Sequence, residues 1–216
     1  MKQNKLLIAL AIAACSTAGI AADEGINYSL NLKSWNHKIK SDSNSSTVNA
    51  TVMSGTARKG EYFLTGSVLI PTTYSFGDGS YMDRRDTDIA AGWSIRPNIA
   101  LLGGVKRILG NNYDFSGSST DLAVSKWNFN YVGINGFESI GEKSFVYGTF
   151  TRSLSGNRVK DGAKTTGLTL TTYEAGLGYV LSKETQLIAG YRSQKIGGDT
   201  SNPVLSGLLV GANFSF

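Results

Sequence analysis

Leu208-Leu209-Val210-Gly211-Ala212-Asn213-Phe214-Ser215-Phe216 closes the sequence, and its period decides the fold. Leu208, Val210, Ala212, Phe214 and Phe216 fall at every second position, with Leu209, Gly211, Asn213 and Ser215 between them. Side chains alternate faces along a strand, so this stretch is a β-strand with one continuous apolar face. A helix would scatter the same residues around its axis. Upstream, the period recurs in runs of about ten residues. The apolar members are Ile26, Tyr28, Leu30 and Leu32; Val48, Ala50 and Val52; Tyr62, Leu64, Val68 and Ile70; Ile89, Ala91, Trp93 and Ile95; Ile99, Leu101 and Val105. Trp127, Phe129 and Tyr131 follow, then Phe145 and Tyr147; Tyr173, Ala175, Leu177 and Tyr179; and Leu187, Ala189 and Tyr191.

The 216 residues include 26 Gly, 9 Phe, 10 Tyr and 3 Trp but only 3 Pro and 1 His, a mixture suited to many strands and tight turns. Connections alternate between short, at Arg58-Lys59-Gly60, Arg96-Pro97-Asn98, 138–143 and Ser182-Lys183-Glu184, and long, near 36–46, 73–85, 110–123, 155–165 and 196–203. Short periplasmic turns and long external loops are the pattern of a transmembrane β-barrel. The terminal Phe216 with apolar residues at every second position before it resembles the C-terminal signature of bacterial outer-membrane β-barrel proteins. The resemblance implies that Phe214 and Phe216 carry the signal read by the barrel-insertion machinery, a partner during assembly. The expected fold is all-β, an antiparallel up-and-down barrel of about ten strands, with eight as the alternative count. A soluble barrel or sandwich would also alternate, but here glycines and charges share a face too crowded for a solvent-exposed surface.

Residues 1–22 carry a basic start, Lys2 and Lys5, an apolar run from Leu6 to Ala14, and small residues before Asp23, which together form a secretory signal peptide. The barrel domain is then 23–216. A competing reading takes Ile12-Ala13-Ala14-Cys15 as a lipobox and makes Cys15 the lipidated first residue. Without Lys2 and Lys5 the 21 basic residues become 19 against 16 acidic, too even for a nucleic-acid partner. The expected location is the bacterial outer membrane, as a monomer.

With the apolar face outward, the other face lines the lumen, and directly opposed residues must share a face. Pairing Ile95 with Ile99 sets Trp93 opposite Leu101, Ile89 opposite Val105, and Asp88 opposite Lys106 inside. Pairing Leu181 with Thr185 sets Ala175 opposite Tyr191 and Glu174 opposite Arg192. Two inward acid–base pairs follow, because a buried charge needs a partner. Small lumen neighbours, Ala90, Gly92, Gly104, Gly176, Gly178 and Gly190, make room for long side chains or for water. Lys33 and Arg152 also fall on the inward face, although Val146, Gly148 and Phe150 offer the seventh strand a second phase. At Arg58-Lys59-Gly60, keeping Thr56 and Tyr62 both outward demands a three-residue loop with Gly60 left-handed, Ala57 opposite Glu61 and Val52 opposite Gly66.

Catalytic constellations are sparse. The single histidine, His37, lies by a loop with no nucleophile motif beside it, which argues against a serine hydrolase of the deacylase or phospholipase type. Asp86-Thr87-Asp88 resembles the aspartate pair of omptin-type proteases, yet no aspartate adjoins His37. No metal or cofactor site is expected. The expected role is non-enzymatic, at the surface or in membrane integrity, with a filled lumen; a narrow channel for small solutes is the alternative. Basic residues at the outer loops, Lys38, Lys40, Arg84, Arg85, Arg158 and Lys160, would meet the phosphates of lipopolysaccharide, the expected partner with outer-membrane lipid.

Overall fold

The computed structural model describes residues 25–41, 44–76, 81–113, 123–198 and 202–216; the leader 1–22 with Cys15 lies outside them. Its strands are β1 (Ile26–Ser41), β2 (Asn44–Lys59), β3 (Tyr62–Ser75), β4 (Tyr81–Arg96), β5 (Ile99–Tyr113), β6 (Ala123–Ser139), β7 (Ser144–Lys160), β8 (Ala163–Thr166), β9 (Thr169–Val180), β10 (Thr185–Gly197) and β11 (Val204–Ser215). β8 and β9 both pair with β7 and form one stave interrupted at Gly167-Leu168, so the sheet has ten staves, all antiparallel. Pairing of β1 with β11 closes the sheet, and Phe216 completes the seam by exchanging hydrogen bonds of 2.9 and 3.3 Å with the backbone of Tyr28. Ile26, Phe216 and the turns at Gly60-Glu61, Pro97-Asn98, 140–143 and 181–184 lie at one end, here the terminal end; the opposite end, with the two-residue turn Asp161-Gly162, is the far end.

Register fixes the dimensions. Following hydrogen-bonded partners from Ile39 through Leu205, Gln194, Thr172, Thr151, Gly133, Leu102, Gly92, Phe63 and Arg58 returns to β1 at Asn27, 12 residues from the start. A twelve-residue offset over ten staves tilts the strands by about 40° and gives a backbone radius of roughly 10 Å. That interior is narrow enough for side chains to fill.

Each strand changes polarity along its length. Near the terminal end the exposed face is apolar, as at Tyr28, Leu32, Tyr62, Leu64, Ile89, Trp93, Leu101, Val105, Leu177, Tyr179, Leu208 and Val210. Toward the far end the outward positions become polar, at Ser34, Thr51, Thr87, Arg107, Asn130, Arg152, Thr171, Ser193 and Ser206. With just over one residue of offset per stave, these nine form a ring level to within about 7 Å. Below the ring lies an apolar belt about 20 Å tall; the 16-residue staves span about 40 Å. Above it the inner face takes the apolar residues: Trp35 and Ile39 on β1, Ile108 on β5, Trp127 and Phe129 on β6, Leu170 on β9, Ile196 on β10 and Leu205 on β11 are all buried.

This inversion corrects several expectations. Val48, Ala50 and Val52, expected on the outer face, point inward, as do Trp127, Phe129 and Tyr131. On β7 the second phase holds: Val146, Phe150 and Arg152 face outward, while Phe145 and Tyr147 line the lumen. Strands of 12–17 residues, apart from short β8, absorb most of the expected loops, so His37, Arg84 and Arg158 belong to strands. The first turn is a two-residue one, Gly60-Glu61, with Lys59 opposite Tyr62, Ala57 opposite Leu64, and Val52 opposite Leu69. Thr56 therefore faces inward, bonded to Thr65 at 3.0 Å, and lies on the opposite face from Tyr62. The premise that put Thr56 outward fails because Met53 and Ala57 hold that face. At Arg96-Pro97-Asn98, Trp93 faces Leu101 and Ile89 faces Val105, but a bulge moves Arg96 opposite Ile99.

Gly60 has φ +58, the left-handed region that side chains enter at a cost. Gly60→Val should lower stability by about 1–2 kcal/mol, checked by urea titration of the refolded barrel. An unchanged midpoint would show that the turn relaxes freely. The lumen glycines serve close packing: a Cβ on Gly92 would come within 2.0 Å of the tip of the Phe63 ring, and one on Gly178 within 2.0 Å of the tip of the Phe145 ring. They make room for aromatic rings as well as for charge.

Candidate functional site

The lumen is stratified. At the terminal end a vestibule of about 450 Å³ opens among Asn31, Arg58, Ser94, Asn135, Tyr147 and Asn213, with Lys33 and Glu174 at its inner wall. Above it a chamber of about 220 Å³ is lined by Lys106, Arg192, Asp88, Tyr131 and several hydroxyls. Lys33, Asn135, Thr149 and Glu174 line both, so the two are contiguous.

Alternation brings the charges of this middle layer together. Asp88 faces Lys106 across β4–β5, and Glu174 faces Arg192 across β9–β10. The contacts extend beyond those pairs. Asp86 accepts a bidentate bond from Arg84, Nε at 2.8 Å and Nη2 at 2.9 Å, while Lys106 lies 3.3 Å from Asp86 and 3.9 Å from Asp88. Planar guanidinium and carboxylate forks match, which makes Arg84–Asp86 the strongest unit of the layer. Tyr131 donates to Asp88 and Lys33 donates to Glu174, with Arg192 at 3.8 Å from the second Glu174 oxygen. Placing Arg84 in a loop hid its role, because its orientation is visible only once β4 is known to begin at Tyr81. Lys33, placed inward by strand phase, reaches Glu174 across the barrel, a contact that alternation cannot reveal. Arg152 faces outward and takes no part.

A cap closes the far side. Trp35 and His37, two residues apart on β1, stack with ring centroids 3.8 Å apart. His37 Nδ1 lies 3.0 Å from the Trp35 carbonyl and Nε2 lies 2.7 Å from the Tyr74 hydroxyl. A carbonyl only accepts, so Nδ1 carries the hydrogen of the neutral ring, and Nε2 accepts from Tyr74. Ile39, Leu69, Leu205 and Leu209 pack around this unit, and a second cluster of Ile108, Trp127, Phe129, Leu168, Leu170 and Ile196 fills the other side.

Chemically, this arrangement holds charge in place. Both His37 nitrogens are engaged and neither partner is a carboxylate or a serine. Asp86 and Asp88 are bound to cations inside the barrel. Among the described residues no group of three or more His, Cys, Asp or Glu is placed to hold a metal ion. Phe214 and Phe216 sit on the outer face at the terminal rim, with Phe216 well exposed.

No family model matches the sequence, and no curated protein is similar to it at the sequence level. Solved structures share the fold. The outer membrane protease OmpT from Escherichia coli superposes with a TM-score of 0.57 at 12% identity, over 89% of this chain and 97% of that one. The translocator domain of the autotransporter NalP from Neisseria meningitidis gives 0.53 at 10% identity, over 99% and 96%. The β domain of the Bordetella autotransporter BrkA gives 0.51 at 11% identity, over 89% and 100%. The chain thus has the closed antiparallel barrel fold of bacterial outer-membrane proteins.

Proposed function

We propose that this barrel resides in the bacterial outer membrane, neither catalyses nor conducts, and acts through the outer surface of its far half, held among lipopolysaccharide molecules. The observation that carries this reading is the inversion of polarity at the ring. An apolar belt about 20 Å tall suits the hydrocarbon layer, and the polar-walled, apolar-filled half above it suits water. The terminal end then faces the periplasm and the far end faces outward.

At and above the ring the outward face of the described strands is strongly basic. It carries Lys38, Lys40, Arg85, Arg107, Lys126, Arg152 and Lys195, with Asp83 as its one carboxylate. Arg85 and Lys126 are both opposite Leu109, and Arg107 precedes Leu109 by two residues, so three cations surround one apolar side chain within about 10 Å. Spaced cations at headgroup height suit the phosphates of lipopolysaccharide. Arg84 points into the lumen and leaves this set. Phe214 and Phe216, at the lower edge of the apolar belt, are placed for recognition by the insertion machinery.

The test uses refolded protein in planar bilayers and in lipopolysaccharide-containing vesicles. Single-channel steps should be absent. The R85Q/R107Q/K126Q variant should refold and lose about tenfold or more in lipopolysaccharide affinity, as expected when at least three charge-assisted bonds are removed. Steady conductance would favour the narrow channel, and unchanged affinity would remove the lipid-binding role.

A further inference from the structure

We propose that the chamber in the middle of the lumen is a binding site for one small inorganic monoanion of chloride type, entering from the vestibule. This goes beyond the surface role and does not depend on it. The first ground is charge balance. The buried layer contains Lys33, Arg84, Lys106 and Arg192 against Asp86, Asp88 and Glu174, one positive charge in excess among the described residues. Two other inward cations lie outside this layer: Arg58 sits lower, in the open vestibule, and donates to Ser94, and Arg158 sits higher, opposite Trp127 in the far half. His37 is neutral by its hydrogen bonds and adds nothing. A net charge enclosed by protein is costly unless a counter-charge joins it.

The second ground is unspent donor capacity. Arg192 stacks over Trp35, its guanidinium carbon 5.0 Å from the ring centre, and reaches Glu174 only at 3.8 Å, beyond hydrogen-bond length. Its Nε is buried and has no partner. The third ground is the space itself. The chamber of about 220 Å³ brings Arg192, Lys33 and Lys106 to one volume, with hydroxyl donors at Ser54, Ser67 and Thr172 on its wall. That volume suits a monoanion with a few waters, each taking about 30 Å³. A single excess charge selects a monoanion over a dianion.

The experiment measures thermal unfolding of the refolded full chain in detergent at constant ionic strength, exchanging sodium gluconate for sodium chloride. Tm should rise with chloride along a saturating curve, by about 5 °C at a hundredfold excess over the dissociation constant. Arg192→Gln, which balances the layer, should abolish the rise. Lys33→Met removes a cation from the other side of Glu174 and serves if the first variant does not refold. In bromide-soaked crystals an anomalous peak should lie in the chamber beside Arg192. Equal Tm in both salts, or a full chloride response in either variant, would overturn the proposal.

Discussion

Asp86→Ala should lower the unfolding free energy of the barrel by about 3–5 kcal/mol, because it strands two buried cations. Arg84 and Lys106 are almost fully buried, and Arg84 has Asp86 as its ionic partner. Lys106 would keep Asp88 at 3.9 Å, a weaker contact than the one removed. Asp86→Asn should cost less, since its amide oxygen still accepts a bond from Arg84. The double replacement Arg84→Met with Asp86→Leu should recover much of the loss, as apolar side chains of similar size often substitute for a buried pair. Urea titration in phospholipid vesicles separates these outcomes. A loss under about 1 kcal/mol for Asp86→Ala would mean that water screens the layer.

Trp35→Ala should cost about 3–5 kcal/mol and open the lumen. Trp35 is 1% exposed and packs within the cap beside Ile39, Tyr74, Leu205 and Leu209. Its ring carries His37 on one contact and the Arg192 guanidinium on another. Truncation leaves a void next to the chamber, joining it to the far side. Conductance in planar bilayers should appear in Trp35→Ala and stay absent in Trp35→Phe, which retains a ring. Bilayers that remain silent with Trp35→Ala would place the closure in the cluster around Phe129 and Trp127.

Alternation reveals which residues share a face, but it does not say which face looks out. In β4, β5, β9 and β10 the lower halves hold strong apolar sets such as Ile89, Trp93, Leu101 and Val105, and these set the hairpin registers that oppose Asp88 to Lys106 and Glu174 to Arg192. In β2 and β6 the most apolar alternating sets, Val48–Val52 and Trp127–Tyr131, lie in the far half, where the core is inside. The same alternation therefore points the other way. The clue was a phase slip within single strands: Leu32 is followed by Trp35 and Ile39, and Val105 by Ile108, odd and even positions exchanging roles as the exterior changes from oil to water. Arg84–Asp86, two residues apart on one face, was equally visible once β4 extended to Tyr81. Lys33–Glu174, 141 residues apart, depends on curvature that no local pattern contains.

The seam between β1 and β11 governs the order of events in folding. Most hairpins join neighbours a few residues apart, so they form locally and early. The last ladder, Ser29 with Ser215 through Lys40 with Val204, joins opposite ends of the chain and must close the largest loop of the molecule. Until it does, β1 and β11 each present a row of unpaired amides and carbonyls, the arrangement most apt to pair with another chain. A nascent chain stalled before residue 204 is therefore a long-lived, adhesive intermediate however well its hairpins are made. The final dozen residues act as a clasp, and the time spent waiting for them is the interval in which escort by other proteins matters most.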